Sequence, residues 1–127
     1  MEEILQVVER YKEVIHTQKK EDFYALWAKR DDCTMISVAQ VFCGVESIYQ
    51  DFLIDRIQKK YLDIELLTQN ITVHHIHETM AIVIFEYQTK CLLRETQEAY
   101  GIQGIETQVM IKENQQWKLL HVHYSKA

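Results

Sequence analysis

The sequence MAIVIFEYQTKCLLR, residues 80–94, alternates between two kinds of side chain. Polar Glu86 and Gln88 stand at even-numbered positions near the middle of the stretch. The odd-numbered positions carry apolar or aromatic side chains: Ala81, Val83, Phe85 and Tyr87. Successive side chains of a strand point to opposite faces, so this period of two predicts a long strand with one buried face.

Strand signals continue on both sides of this stretch. Residues 63–76 also alternate, and His77-Glu78-Thr79 forms the predicted turn between the two strands. Gly101 and Gly104 precede a third strand over residues 105–112, and residues 113–116 predict a hairpin turn into residues 117–125. The second half of the chain therefore predicts four long antiparallel strands.

The first half has helical spacing instead. Residues 3–18 predict an amphipathic helix, whose apolar positions recur every three or four residues as Ile4, Val8, Tyr11 and Ile15. Asp22 is the predicted cap of a second helix, residues 33–38 predict a short strand, and Gly44 precedes a third helix. Helices that precede an antiparallel meander indicate an α+β fold with helices on one face of the sheet. We expect residues 1–127 to form one domain.

Composition excludes several classes of function. A hydrophobic fraction of 47% predicts a globular protein, and the net charge of −5 argues against binding nucleic acid or an anionic membrane. No apolar run reaches the roughly 20 residues that a membrane span requires. The acidic N-terminus does not resemble a secretion signal, and Cys33, Cys43 and Cys91 are too widely spaced for a CxxC motif, so we predict a cytoplasmic protein with reduced thiols.

The last predicted strand, WKLLHVHYS at residues 117–125, resembles the W-K-I-V-H-x-H-x-S ending of SnoaL-like proteins in the nuclear transport factor 2-like superfamily. It is also similar to the ending of the association domain of calcium/calmodulin-dependent kinases. The resemblance extends to Phe23–Trp27, to Gly44 with its helix and to Gly104–Thr107. It implies a cystatin-like cone, in which a curved antiparallel sheet wraps over three N-terminal helices, and a homodimer formed through the sheet.

The same resemblance implies which residues line the cone. It places Leu120, Val122 and Tyr124 inward, and strand alternation then places Trp117, Leu119, His121 and His123 outward. The expected ligand-binding residues are Tyr11, Trp27, Ser37, Ile48, Tyr87, Gln108, Met110, Leu120, Val122 and Tyr124. These side chains predict either an apolar cavity with a few hydrogen-bonding groups or a cone filled by its own side chains.

Catalysis requires further groups. Val7–Tyr11 and Phe85–Gln88 resemble segments of ketosteroid isomerase, but the position of its base is Ser37 here, and the position of its second acid falls near Thr107. Scytalone dehydratase and limonene epoxide hydrolase need inward acids that we do not expect on these strands. We therefore predict a small-molecule-binding homodimer without a recognisable catalytic set. A lyase or isomerase acting on a small apolar substrate, and a non-catalytic assembly module, are the alternatives.

The histidines are the remaining candidates for chemistry. His74, His75 and His77 cluster before a turn, and His121 and His123 share one face of the last strand. Two imidazoles at this spacing can bind one metal ion, but no cysteine or acid lies beside them in sequence. We expect these histidines on the convex face of the sheet or in a dimer contact, and we predict neither a metal ion nor a cofactor.

Overall fold

The computed structural model describes residues 1–127, in which three helices pack against one curled sheet. Helix α1 spans Glu2–Thr17, α2 spans Lys20–Leu26, and α3 begins at Val45–Ser47 and continues as a π-helical segment, Ile48–Gln58. The strands are β1 (Thr34–Ser37), β2 (Gln40–Cys43), β3 (Tyr61–His77), β4 (Met80–Leu93), β5 (Ala99–Tyr100), β6 (Gln103–Glu113) and β7 (Gln116–Tyr124). None of the helices has both the length and the apolar character that crossing a membrane requires.

The sheet has the order β2-β1-β7-β6-β4-β3, with β5 paired to β4. Its neighbours are antiparallel except β1 and β7, which run parallel. The predicted α+β cone of a curved sheet over three helices is confirmed, as are its four long strands. Strands β2 and β5 were not predicted, because they are short and their side chains are mostly exposed.

Helix α1 covers the concave face of the sheet with its apolar stripe. Its buried side chains are Ile4, Val7, Val8, Tyr11, Val14 and Ile15. The helix ends where Gln18 adopts a left-handed conformation and its N–H donates to the Val14 carbonyl at 2.7 Å. Helix α2 begins at Lys20, so Asp22 lies in its first turn and is not the predicted cap.

The π-helical segment is the third wall of the cone. Each N–H in it donates to the carbonyl five residues earlier, as the Lys59 N–H does to the Ile54 carbonyl at 2.9 Å. The buried side chains follow the same wide spacing: Ile48, Phe52, Leu53 and Ile57. Phe52, Arg56 and Ile57 thereby face the same interior space as the ends of the long strands.

A β-bulge in β7 changes which of its side chains face the helices. Met110 pairs with Leu119 and Val109 pairs with His121, so Leu120 is an extra residue on β7. Paired residues share a face, and Leu119 therefore points inward with Met110 and is fully buried. The predicted inward position of Leu120 and outward position of Leu119 are wrong. Trp117 has the same alternation as Leu119 and is buried within the protomer, at 7% exposure, which contradicts its predicted position on the outer face.

Candidate functional site

The wide end of the cone contains a cavity of about 410 Å³. It lies between the C-terminal halves of α1 and α3 and the ends of β4, β6 and β7. Twelve of its eighteen lining residues are hydrophobic. The lining comprises Tyr11, Ile15, Val38, Phe52, Asp55, Arg56, Ile57, Lys60, Tyr61, Ile64, Leu66, Tyr87, Thr89, Tyr100, Ile102, Glu106, Tyr124 and Lys126. A cavity of this size and character suits a small organic ligand.

The structure brings three of the predicted site residues together at this cavity: Tyr11, Tyr87 and Tyr124. Two more lie one hydrogen bond behind its wall. The Ser37 hydroxyl is hydrogen-bonded to the Tyr124 hydroxyl, and the Gln108 amide donates to Glu106. These five residues therefore belong to the site, either as wall or as support.

The other predicted residues do not line this cavity. Four of them are completely or almost completely buried in the closed end of the cone: Trp27, Ile48, Met110 and Val122. Leu120 is only partly buried, because the β7 bulge displaces it from the inward register. The four buried side chains fill one end of the cone, whereas the cavity lies at the other end.

Glu106 is the acid at this site that sequence reasoning missed. It is only 2% exposed, and the Gln108 Nε2 group donates to its Oε2 atom at 2.7 Å. Burial raises the pKa of this carboxyl group to about 8, although the hydrogen bond from Gln108 opposes the shift. The prediction that the strands carry no inward acid is therefore wrong, and at neutral pH most Glu106 carboxyl groups are protonated.

The position of Glu106 in the alternating pattern of its strand indicated that it points inward. Gln108 and Met110 were predicted inward, and Glu106 lies two residues before Gln108 on the same strand. The position of a second acid was predicted near Thr107, whose side chain points to the other face and which pairs with Ile84 and His123.

Tyr11 offers a second polar group to the cavity. Its side chain is 1% exposed, and its hydroxyl forms no hydrogen bond within the chain. Burial is the largest cause that raises its pKa, and the nearby Glu106, Tyr124 and Tyr87 act in the same direction. Tyr11 therefore remains a neutral hydrogen-bonding phenol.

The hydroxyls of the other two predicted tyrosines are already engaged. The Tyr87 hydroxyl donates to the Ser125 carbonyl at 2.6 Å, and that of Tyr124 is paired with Ser37. Close packing holds this part of the wall, because a side chain at Gly104, opposite Tyr87, would collide with the same Ser125 carbonyl. Tyr11 and Glu106 therefore keep free hydrogen-bonding capacity in the cavity, as do the hydroxyls of Tyr61 and Tyr100, which form no hydrogen bond within the chain.

The rim of the cavity carries charge. The cations at the rim are Arg56, Lys60 and Lys126, and the acid at the rim is Asp55. The Asp55 carboxylate forms an ion pair with Lys59 at 2.9 Å.

The arrangement does not form a recognisable catalytic pair or metal centre. Ser37 occupies the position where an isomerase of this fold would have its base, and it is hydrogen-bonded to Tyr124 and Arg56. No three His, Cys, Asp or Glu side chains come together as metal ligands. What the cavity can do chemically is bind an apolar molecule, donate hydrogen bonds from Tyr11 and Glu106, and exchange a proton with Glu106.

A family model described as the SnoaL-like domain matches residues 4–127, and no curated protein matches the chain significantly. Among solved structures, a nuclear transport factor 2-like superfamily protein from Salmonella enterica subsp. enterica serovar Typhimurium str. LT2 has a TM-score of 0.92 and 22% identity. That match covers 98% of this chain and 89% of the Salmonella protein.

Two further structures share the fold at lower identity. The hexachlorocyclohexane dehydrochlorinase LinA-type3 from Novosphingobium barchaimii LL02 has a TM-score of 0.82 and 14% identity, covering 97% of this chain and 83% of that chain. An uncharacterised protein with a cystatin-like fold from Caulobacter vibrioides has a TM-score of 0.82 and 13% identity, covering 99% and 88%. Together with the family match, these structures confirm the predicted resemblance and fold.

Proposed function

We propose that this chain, which belongs to the SnoaL-like domain family, binds a small and largely apolar molecule in the wide end of its cone. The observation that carries this proposal is the 410 Å³ cavity, whose apolar wall includes two polar groups without a complete set of partners, Tyr11 and Glu106. A ligand oxygen or nitrogen that bonds to these groups would fix the orientation of an otherwise apolar body.

A ligand screen by thermal shift tests this proposal. A compound at a hundred times its dissociation constant should add about 2.7 kcal/mol to the free energy of unfolding. Ile102→Trp places a large side chain in the cavity and should abolish the shift, whereas Ile76→Trp, at a residue that is 59% exposed, should not. The proposal fails if no compound raises the melting temperature, or if Ile102→Trp responds like the unmodified protein.

A second candidate function is proton-transfer catalysis, which the buried Glu106 specifically favours. A carboxyl group whose pKa is raised to about 8 can donate a proton at neutral pH, and its ionised fraction can accept one. Removal of a proton from a carbon next to a leaving group or carbonyl would give an elimination or an isomerisation. This candidate includes the lyase and isomerase alternatives predicted from the sequence.

Glu106→Gln separates binding from catalysis. The amide cannot exchange the proton but retains the size and polarity of the side chain. If the protein is an enzyme, compounds from the screen should be converted by the unmodified protein, as measured by mass spectrometry, and only bound by Glu106→Gln. Equal turnover by both proteins would remove Glu106 from the mechanism.

A homodimer formed through the convex face of the sheet is part of the proposal. Aligned residues form an uncharged row across five strands of this face: Thr72, Ile84, Thr107, His123 and Ile36. Such a face is a suitable isologous contact. Trp117 and Leu119, which were predicted on this outer face, are buried within the protomer and do not contribute to it.

The oligomeric state tests the dimer directly. Ile84→Lys introduces a charge within the row and should yield monomers in sedimentation velocity, whereas Leu62→Lys, at an exposed position of β3 outside the row, should not. A monomeric unmodified protein would refute the dimer.

The predicted cytoplasmic location remains part of the proposal and is supported by free thiols at Cys33, Cys43 and Cys91.

A further inference from the structure

Two cations at the rim of the cavity lack an acidic partner. Arg56 and Lys60 both line the cavity, and neither takes part in any of the chain's four ion pairs. Arg56 lies in the last turn of α3 and Lys60 lies two residues beyond its end, so one short segment of chain brings both cations to the opening. The rim therefore has positive charge that no carboxylate of the protein neutralises.

The Arg56 guanidinium is held in place by neutral groups. Its Nη1 atom donates to the Ser37 hydroxyl at 3.2 Å, its Nη2 atom donates to the Gln40 side-chain oxygen, and it lies over the Phe42 ring. These contacts use two of the five N–H donors of the guanidinium and leave three. A planar guanidinium that is fixed in this way is preorganised to bind a carboxylate.

Aromatic rings hold Lys60 at the same opening. Its ammonium group lies 4.9 Å from the centre of the Tyr100 ring and 5.3 Å from that of Tyr61. The two rings are stacked on each other and both line the cavity. Cation–π contacts orient the ammonium group but do not neutralise its charge.

The acids of the cavity do not offset these cations. Asp55 is paired with Lys59, and Glu106 lies apart from the rim, fully buried against Gln108. Lys126 adds a third cation to the lining. The cavity thus has an apolar interior and a cationic rim, which is the pattern expected for a ligand with an apolar body and one anionic end.

We propose that the natural ligand is a small amphipathic carboxylic acid, whose apolar body occupies the cavity and whose carboxylate binds to Arg56 and Lys60 at the rim. This inference rests on the proposed function, since it assigns a chemical class to the ligand of the same cavity.

Matched pairs of compounds test the inference. The probes are phenylacetic, 4-phenylbutanoic and indole-3-acetic acids, each beside its neutral primary amide, with dissociation constants measured by isothermal titration calorimetry. The best acid should bind about tenfold more tightly than its amide, and added NaCl should reduce the difference. Lys60→Met should reduce the affinity for the acid by a larger factor than the affinity for the amide.

Two variants sharpen the result. Asp55→Asn removes the negative charge of the rim and should increase the affinity for the acid, which a loss of folding could not do. Lys112→Met, at the filled end beside Trp117, should change neither affinity and serves as the matched control.

The outcomes distinguish the two proposals. If an acid and its amide bind equally and Ile102→Trp abolishes both, the carboxylate inference is refuted and the proposed function stands. If no member of any pair binds, and the wider screen also finds no ligand, both proposals are refuted.

Discussion

The two ends of the cone are built from the same strands but differ in what their inward side chains do. Towards the filled end, β4 contributes Ala81, Val83 and Phe85, which are at most 1% exposed and pack without a cavity. Two residues further along, Tyr87 begins the wall of the open end. The inner face of β6 changes in the same way, from Met110 and Gln108 to Glu106.

This difference indicates how the fold combines stability with binding. The filled end buries apolar side chains in full, which is the main source of folding free energy. The open end leaves space against α1 and α3 and contains the one fully buried carboxyl group, whose neutral form is favoured by its surroundings.

Truncation of a phenylalanine should have the largest effect, and mainly at the filled end. Phe85→Ala should reduce the free energy of unfolding by about 3–5 kcal/mol, because it leaves a void among packed side chains. Phe52→Ala should cost less, since Phe52 already borders the cavity and its loss only enlarges that space. Urea denaturation of the two variants measures the difference, and an equal or reversed order would contradict the division of the cone.

The pH dependence of stability should identify Glu106. Its pKa is about 8 in the folded state against 4.5 in the unfolded state, so the folded protein binds the proton more strongly. Its stabilising contribution is complete below about pH 4.5 and decreases as the pH rises to about 8, by about 1.4 kcal/mol per pH unit at most. Urea titrations from pH 5 to 9 should show this decrease in the unmodified protein and a flatter profile in Glu106→Gln; identical profiles would exclude the shift.

Loss of the Tyr11 hydroxyl should weaken binding without a large change in stability. Tyr11→Phe removes a hydroxyl that has no partner in the chain, so ligand affinity should decrease by about fivefold. Tyr87→Phe breaks the bond to Ser125 and should lower the melting temperature more than Tyr11→Phe does. Calorimetry of ligand binding and thermal denaturation of both variants test this contrast. A greater loss of stability in Tyr11→Phe than in Tyr87→Phe would contradict it.

Acidification should have the smallest effect, on the proposed dimer. Burial and the neighbouring His123 lower the pKa of His121, whose Nδ1 atom is hydrogen-bonded to the Thr34 hydroxyl. A lowered pKa means that the free energy of unfolding of the protomer decreases as the pH falls below about 6.5 and the imidazole becomes charged. His121 lies two residues before His123 on the proposed dimer face, so the same charge should oppose association of two protomers. Sedimentation at pH 7.5 and 5.5 should show weaker association at the lower pH, and His121→Asn should remove part of that dependence.

Elements with a clear period could be predicted from the sequence. The helical stripe of α1 and the alternation of β4 gave both elements nearly to their ends, and the order of elements indicated an α+β cone. Tyr11, Tyr87 and Tyr124, which the family resemblance placed inside the cone, line its cavity.

The errors have local physical causes. A bulge shifts the parity of one strand against its neighbour, and nothing in the sequence around Leu120 indicates an extra residue. Glu106 was overlooked because glutamate is rarely buried without a partner, although its parity with Gln108 indicated the inward face. The unpaired cations of the rim depend on which side chains bind Arg56 and Lys60, and this information exists only in three dimensions.

Methyl NMR of isotope-labelled isoleucines during titration with a ligand from the screen tests the central claim most directly. The methyl signals of Ile15, Ile57, Ile64 and Ile102, which line the open end, should shift with ligand concentration. Those of Ile4 and Ile48, which are fully buried and outside that lining, should remain largely unchanged. Shifts confined to Ile4 and Ile48, or to exposed Ile76 and Ile105, would contradict a ligand site in the wide end of the cone.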